Sequence, residues 1–403
     1  MFVGCIVAIS VLKLVLSAIV PASFDLRNII MLVQSSRAPI GPWIALYPPL
    51  YFQPTNTTFL EQWWLTPPPM AGVNLQLISL YFRLPIFILD LAVCCALFFA
   101  GKSMKSATAG RAASLLWFAN PYVLFGTEFV GVPDVLTTLL VVVSVALLTQ
   151  RRNLLGTIFL SIGIAMKFYP FLLLPPILFF QHRSTRSWRS MVVTVFLGLL
   201  GLGGYFLWTL PNWQLYLTTY TSVAQPFPFI AGQVAINNSA FVLILFYFLL
   251  VFFARNTKNL TNLLLVTLLA YYAVSNPAPQ YFVWVIPLMA LDLVLTERSK
   301  IVLFAVFCCL AFTNWFFISS AFLTPSGYSL LMIPLGGSDL PAYSITITSL
   351  LDNPAIVYEI LPFISSALFA CILAYAIDIA RNLIVRMPGG VLKRDHTIET
   401  IPQ

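Results

Sequence analysis

Residues 154–180 form one apolar run with basic residues at both ends: Arg151 and Arg152 precede it, and Arg183, Arg186 and Arg189 follow. Positive charge gathers on the cytoplasmic side of a membrane span, so both ends of this run belong on one side. A single crossing cannot begin and end on the same side. The run is therefore expected to be a re-entrant hairpin of two short helices that turn near Lys167-Phe168-Tyr169-Pro170. Pro170 supports a break there, because it removes a backbone donor and biases Tyr169 away from helix. Each arm has about a dozen residues, roughly 18 to 20 Å at 1.5 Å per residue, less than the ~30 Å of a hydrocarbon core. The tip is then held at depth, where broken backbone is tolerated only against protein or a wet cavity.

Ten further apolar segments lie near 1–22, 75–99, 112–126, 132–149, 190–210, 238–254, 260–274, 281–296, 301–322 and 354–380. With the hairpin counted as two, about twelve helices are expected. The basic residues of the remaining short loops then fall on one side: Lys102, Lys105, Arg111, Arg255, Lys258, Arg298, Lys300, Arg381, Arg386, Lys393 and Arg394. With the five hairpin arginines they make 16 of the 21 Lys and Arg residues, and this orientation puts both chain ends inside. The net charge of +8 is then an orientation bias, and no nucleic-acid partner is expected.

With 60% hydrophobic residues, 8% charged residues and a mean hydropathy of +0.93, most of the chain belongs in lipid. The expected class is an all-α polytopic membrane protein, one membrane domain over 1–403 with a cytoplasmic tail at 381–403. Residues 1–20 lack a basic leader and an Ala-x-Ala-type site, so they read as a retained first span. The six cysteines lie within apolar runs without metal-ligand spacing and read as packing residues.

The outer face receives the long first external loop, 23–73, with Asp25, Arg27, Tyr47 and the pair Trp63-Trp64. A loop of that length with an acid, a base and several aromatics is expected to be a reaction face. Trp43, Tyr47, Trp63, Trp64 and Trp213 also fall on this side, where anchoring at the interface is the common use of such residues. His182 and His396 fall inside, which leaves carboxylates, Lys and Arg for any outer chemistry. Such a set suits transfer of a group away from a phosphate: an acid deprotonates the acceptor and a base neutralises the leaving phosphate.

Each of these residues also has a plain structural reading. Asp25 follows the first span and serves equally as a helix cap or as a base. Lys167 at a hairpin tip needs a partner or a cavity, and a structural acid would satisfy it. Arg83 and Asp90 stand seven residues apart on one helix face, which points to an intramembrane pair or a bundle contact. Glu128 and Asp134 flank Gly131-Val132-Pro133, where they hold an acceptor or a cation, or are solvated turn acids.

Taken in order, Phe24-Asp25-Leu26, Tyr47-Pro48-Pro49-Leu50, Asn120-Pro121, Gly131-x-x-Asp134, Met166-Lys167-x-Tyr169-Pro170 with Leu174-Pro175, and Pro279-Gln280-Tyr281-Phe282-x-Trp284-x-x-Pro287 form a pattern. It resembles the C-type (GT-C) integral-membrane glycosyltransferases, and within them the polyprenyl-phosphate-mannose-dependent mannosyltransferases, including the first mannosyltransferase of GPI-anchor synthesis and its prokaryotic relatives. The resemblance spans roughly residues 20–290. It implies a GT-C-like helical bundle and an inverting enzyme that transfers a sugar, mannose first, from a polyprenyl-phosphate donor to a lipid-linked glycan or glycolipid acceptor. Donor, acceptor and membrane lipids are then the partners, and the non-cytoplasmic side (ER lumen, periplasm or cell exterior) is the active face. It implies Asp25 as general base, with Lys167, Arg27 and Tyr169 at the donor phosphate. Glu128, Asp134, Gln280, Tyr281 and Tyr47 would line the substrate cavity. The eukaryotic enzyme's loop has Asp-x-Asp where Arg27 stands here, so no metal site and no cofactor are expected, with a divalent cation left open.

Two other readings remain. A secondary transporter would carry midplane charges in two repeat-related sets, whereas this chain has one Lys-tipped hairpin. A non-catalytic membrane scaffold is the other, since the same architecture occurs in a GPI transamidase subunit. Acceptor sequons at Asn56 and Asn237 are expected outside, and the one at Asn259 inside.

Overall fold

The computed structural model describes residues 2–19, 75–131, 134–185, 187–209, 260–274, 279–296, 300–321 and 354–385. The described chain is helical throughout: α1 Phe2–Ile19, α2 Leu75–Met104, α3 Ala107–Phe118, α4 Pro121–Leu124, α5 Asp134–Thr149, α6 Asn153–Met166, α7 Leu174–Thr185, α8 Trp188–Thr209, α9 Leu260–Val274, α10 Ile286–Leu295, α11 Ile301–Ala321 and α12 Pro354–Val385. A π-helical turn, Phe125–Val130, follows α4, and 3-10 turns occupy Tyr169–Leu173 and Pro279–Trp284. Among the described residues, two helical stretches, Arg83–Met104 and Trp188–Leu207, are long and apolar enough to cross a membrane. With the composition, they make this a membrane protein that is helical throughout its described residues.

Local chemistry sets the helix ends. Ser106 caps α3 by accepting from the Ala109 amide at 3.2 Å, and Asn120 caps α4 by accepting from Tyr122 at 2.9 Å, with Pro121 in the first turn where no amide is needed. Gly131 closes the π-helical turn at φ 75°, a left-handed conformation that favours glycine. Lys167 ends α6 in extended backbone, ahead of Pro170.

Burial separates central helices from peripheral ones. Residues 286–293 of α10 and 260–269 of α9 are buried on every side, as expected of an apolar helix at the centre of a bundle. In contrast, α1 leaves Val3, Val7, Val11 and Val15 exposed, and α8 exposes Val192, Phe196, Leu199 and Leu207. Helices α2 and α3 approach so closely that a Cβ on Gly110 would lie 2.3 Å from the Phe98 carbonyl oxygen. Helices α6 and α7 run in opposite directions. The start of one and the end of the other meet in a polar trio: Gln181 Nε2 donates to Thr157 at 3.3 Å, and Thr194 of α8 donates to Gln181 at 2.7 Å.

Candidate functional site

Of the charged clusters among the described residues, two are joined through the five residues that separate Glu128 from Asp134. The first joins α1, α2, α3 and the π-helical turn. Lys13, in the first helix, contacts the Asp90 carboxylate directly and lies 3.5 Å from Glu128. Ser17, one turn further along α1, donates to Glu128 at 2.6 Å, and Arg83 donates to the Ser17 carbonyl at 3.1 Å. Trp117 Nε1 donates to the second Asp90 oxygen at 2.6 Å, and Thr127 donates to Glu128 at 3.1 Å. Lys13, Arg83, Asp90 and Glu128 are completely enclosed. Two cations and two carboxylates make the cluster neutral, which buried charge in an apolar bundle requires.

Of the two accounts of Arg83 and Asp90, an intramembrane pair or a bundle contact, the contacts seen are of the second kind. Both face α1, but each takes a different partner there, because α1 and α2 run antiparallel and set Lys13 beside Asp90 and Ser17 beside Arg83. Lys13 was missed as a site residue, although an ionisable side chain within an apolar span is itself a signal of a buried partner.

The second cluster is built on the break between α6 and α7. Lys167 contacts Asp134 Oδ1, at the first residue of α5, and Trp284 Nε1 donates to the same oxygen at 3.2 Å. The Lys167 ammonium also stands 4.8 Å from the centre of the Tyr281 ring and 5.6 Å from that of Trp284. Trp284 is stacked by Tyr169 at 3.7 Å and by Tyr281 at 4.3 Å, both nearly parallel to it. Two rings cannot share one face of an indole at those separations, so Trp284 is sandwiched between them. Tyr272 donates to the Tyr281 carbonyl at 2.5 Å and fixes that turn. Asp134 is 4% exposed, whereas Lys167 is 28% exposed, so the lysine side of the pair opens outward.

Among the expected site residues, Lys167, Asp134, Tyr169 and Tyr281 come together. Glu128 does not join them: it is turned into the first cluster. The backbone of Gln280 belongs to the 3-10 turn that carries Tyr281. Asp25, Arg27 and Tyr47, with the whole loop 23–73, lie outside the described residues, as does the tail beyond 385. Among the described residues, no group of three or more His, Cys, Asp or Glu side chains is arranged to hold a metal ion. A third charged group closes the other end of the bundle, where Lys300 bridges Asp292 at 3.2 Å and Asp378 at 2.8 Å and Tyr375 donates to Asp292 at 3.1 Å.

A family model described as GPI transamidase subunit PIG-U matches residues 24–226, half of the 403-residue chain. The chain belongs to the PIG-U family. No curated protein and no solved structure matches it. The PIG-U match covers Asp90, Glu128, Asp134 and Lys167, while their partners Lys13, Tyr281 and Trp284 lie beyond it.

PIG-U membership corrects the function expected from sequence. A family described as a GPI transamidase subunit is not a polyprenyl-phosphate-mannose-dependent glycosyltransferase, so the enzyme assignment falls. The polyprenyl-phosphate-sugar donor and the glycolipid acceptor fall with it as partners. The physical side of the correction is that Lys167, to which the donor phosphate was assigned, already spends its charge on Asp134, and Glu128 spends its own on Lys13 and Ser17. The motifs behind the glycosyltransferase resemblance are residue types and spacings. They do not distinguish a free lysine from one with an internal counter-ion.

Proposed function

We propose that the chain is a non-catalytic, multi-pass membrane subunit of a GPI transamidase. The match to the PIG-U family over residues 24–226 carries this reading. The geometry supports it: Lys167, Asp134 and Glu128, the described acids and base that a transfer reaction would need, are each held by an internal counter-charge. Neutral clusters of this kind fasten helices to one another, a role that suits a scaffold within a membrane complex. Its partners are then the other transamidase subunits and the proteins that receive a GPI anchor, with the ER membrane as the compartment.

The topology proposed with this function has about twelve helices, with α6 and α7 as a re-entrant pair and the basic loops in the cytoplasm. Arginines at both ends of that pair support it, and so does the contact of Thr157 with Gln181. Loop 23–73 then faces the outer side.

The test uses the full chain purified in lipid. It should release no carrier phosphate from polyprenyl-phosphate-mannose in the presence of glycolipid acceptors, and it should co-fractionate with transamidase activity on a precursor protein. Carrier-phosphate release by the isolated chain would overturn the reading.

A further inference from the structure

Where α2 and α3 meet, the chain holds two like charges side by side. The two helices pack in antiparallel register: Gly101 lies against Gly110, Ser114 donates to the Cys94 carbonyl at 2.8 Å, and Trp117 donates to Asp90. A Cβ on Gly101 would lie 2.8 Å from the Gly110 Cα, and one on Gly110 would lie 3.1 Å from the Lys102 amide nitrogen, so here backbone rests on backbone. Lys102 and Arg111 each follow one of the touching glycines. In antiparallel helices the residues that follow a contact pair turn to the same side, because equal rotations about opposed axes converge. Both side chains are exposed. The glycine contact therefore gathers an ammonium and a guanidinium on one surface, where they repel each other.

Among the described residues, no acid pairs with either cation. The carboxylates of the described side chains, Asp90, Glu128, Asp134, Asp292 and Asp378, are engaged with Lys13, Lys167 or Lys300. Lys105, the third cation of this corner, donates to the Val294 carbonyl of α10 at 2.9 Å. Beneath Lys102 the same face of α2 is apolar and open. Phe99, Cys95 and Ile88 stand three, seven and fourteen residues before it, spacings that keep one helix face, and all three are exposed. Phe99 to Ile88 is eleven residues, about 16 Å along the helix, which is one leaflet of a ~30 Å hydrocarbon core.

We propose that Lys102 and Arg111 bind the phosphate of an anionic phospholipid, with an acyl chain laid along Phe99, Cys95 and Ile88. The guanidinium fork takes two phosphate oxygens, and the ammonium supplies a second charge-assisted contact. Thr108, three residues before Arg111 on the same face of α3 and exposed, adds a hydroxyl for the headgroup. The bound anion relieves the repulsion that the glycine contact imposes. A lipid is selected over a soluble phosphate or an acidic peptide because the cations and the apolar strip are continuous, and only a lipid uses both. In the topology proposed above this corner meets the cytoplasmic leaflet, where anionic lipid gathers. The chemistry of the site does not depend on that assignment.

Native mass spectrometry of the full chain, titrated with short-chain phosphatidylglycerol, phosphatidylinositol and phosphatidylcholine, tests the proposal. The two anionic lipids should bind about twentyfold more tightly than phosphatidylcholine, roughly a factor of five for each cation. Lys102→Gln/Arg111→Gln should abolish most of that preference. Both side chains are exposed, so this variant should unfold at the parent temperature. Arg152→Gln/Arg189→Gln removes the same charge from exposed positions at the starts of α6 and α8 and should leave the preference intact. Glycerol 3-phosphate, which has the anion without the chains, should not displace the lipid at equal concentration. Equal binding of the three lipids, an equal loss in both double variants, or displacement by equimolar glycerol 3-phosphate or polyglutamate would overturn the proposal. The readout is lipid preference of the isolated chain, so its failure leaves the transamidase reading untouched.

Discussion

Lys13 and Asp90 are 77 residues apart in sequence and in direct contact inside the bundle. The pair ties the first helix to the second. Because both groups are wholly enclosed, truncation of either leaves its partner as an unpaired buried charge. Lys13→Met should destabilise the protein by about 3–5 kcal/mol, and Lys13→Met/Asp90→Asn should recover much of that loss, because Arg83 and Glu128 remain as a balanced pair of charges. Thermal unfolding of the detergent-solubilised variants checks both.

Trp117 contributes a single N–H to the same carboxylate. Trp117→Phe keeps most of the packing and removes that donor, so a loss of about 1–3 kcal/mol is expected. The same unfolding measurement should show the loss largely abolished in an Asp90→Asn/Lys13→Met background, where there is no charge left for the indole to stabilise.

Glycine substitutions should separate packed from open helix surfaces. A Cβ on Gly110 would press on the Phe98 carbonyl at 2.3 Å, and one on Gly203 would meet nothing within 4 Å. Gly110→Ala should therefore force α2 and α3 apart and lower the unfolding temperature. Gly203→Ala should leave it unchanged or raise it, since alanine is favoured over glycine in a helix by about 1 kcal/mol. A matched pair of unfolding curves is sufficient.

The two carboxylates on Lys300 are unequal. Asp292 is enclosed and also accepts from Tyr375, whereas Asp378 is 41% exposed. Asp378→Asn should cost no more than about 1 kcal/mol, as for a surface pair. Asp292→Asn should cost clearly more, because it weakens the only enclosed link between α10 and Lys300 that is described here and the Tyr375 bond with it. Guanidine-free thermal scans of the two variants under identical detergent conditions rank them.

The helical, membrane-bound nature of the chain is legible in its apolar segments, because a span needs only hydropathy and length to declare itself. Partner choice is not legible in the same way. Arg83 and Asp90 share a helix face, which left a mutual pair and separate bundle contacts both open, and Lys13 and Ser17 decide for the second from a distance that leaves no local trace. The same limit accounts for the functional correction. Lys167 and Asp134 stand in the sequence as two residues of a transfer site, and their contact, with Trp284 on the same oxygen, is a property of three-dimensional packing. Asp25, Arg27 and Tyr47 lie outside the described residues.

The most direct measurement is complementation. The full chain would be expressed in cells deprived of their own PIG-U family subunit, and attachment of GPI to a reporter protein would be followed by its surface appearance and by the loss of its unprocessed precursor. The account predicts restored attachment by the parent chain and equal restoration by Asp25→Asn, since no glycosyl transfer depends on that carboxylate. Failure to restore attachment, or restoration that Asp25→Asn abolishes together with mannose addition to the glycolipid, would contradict it.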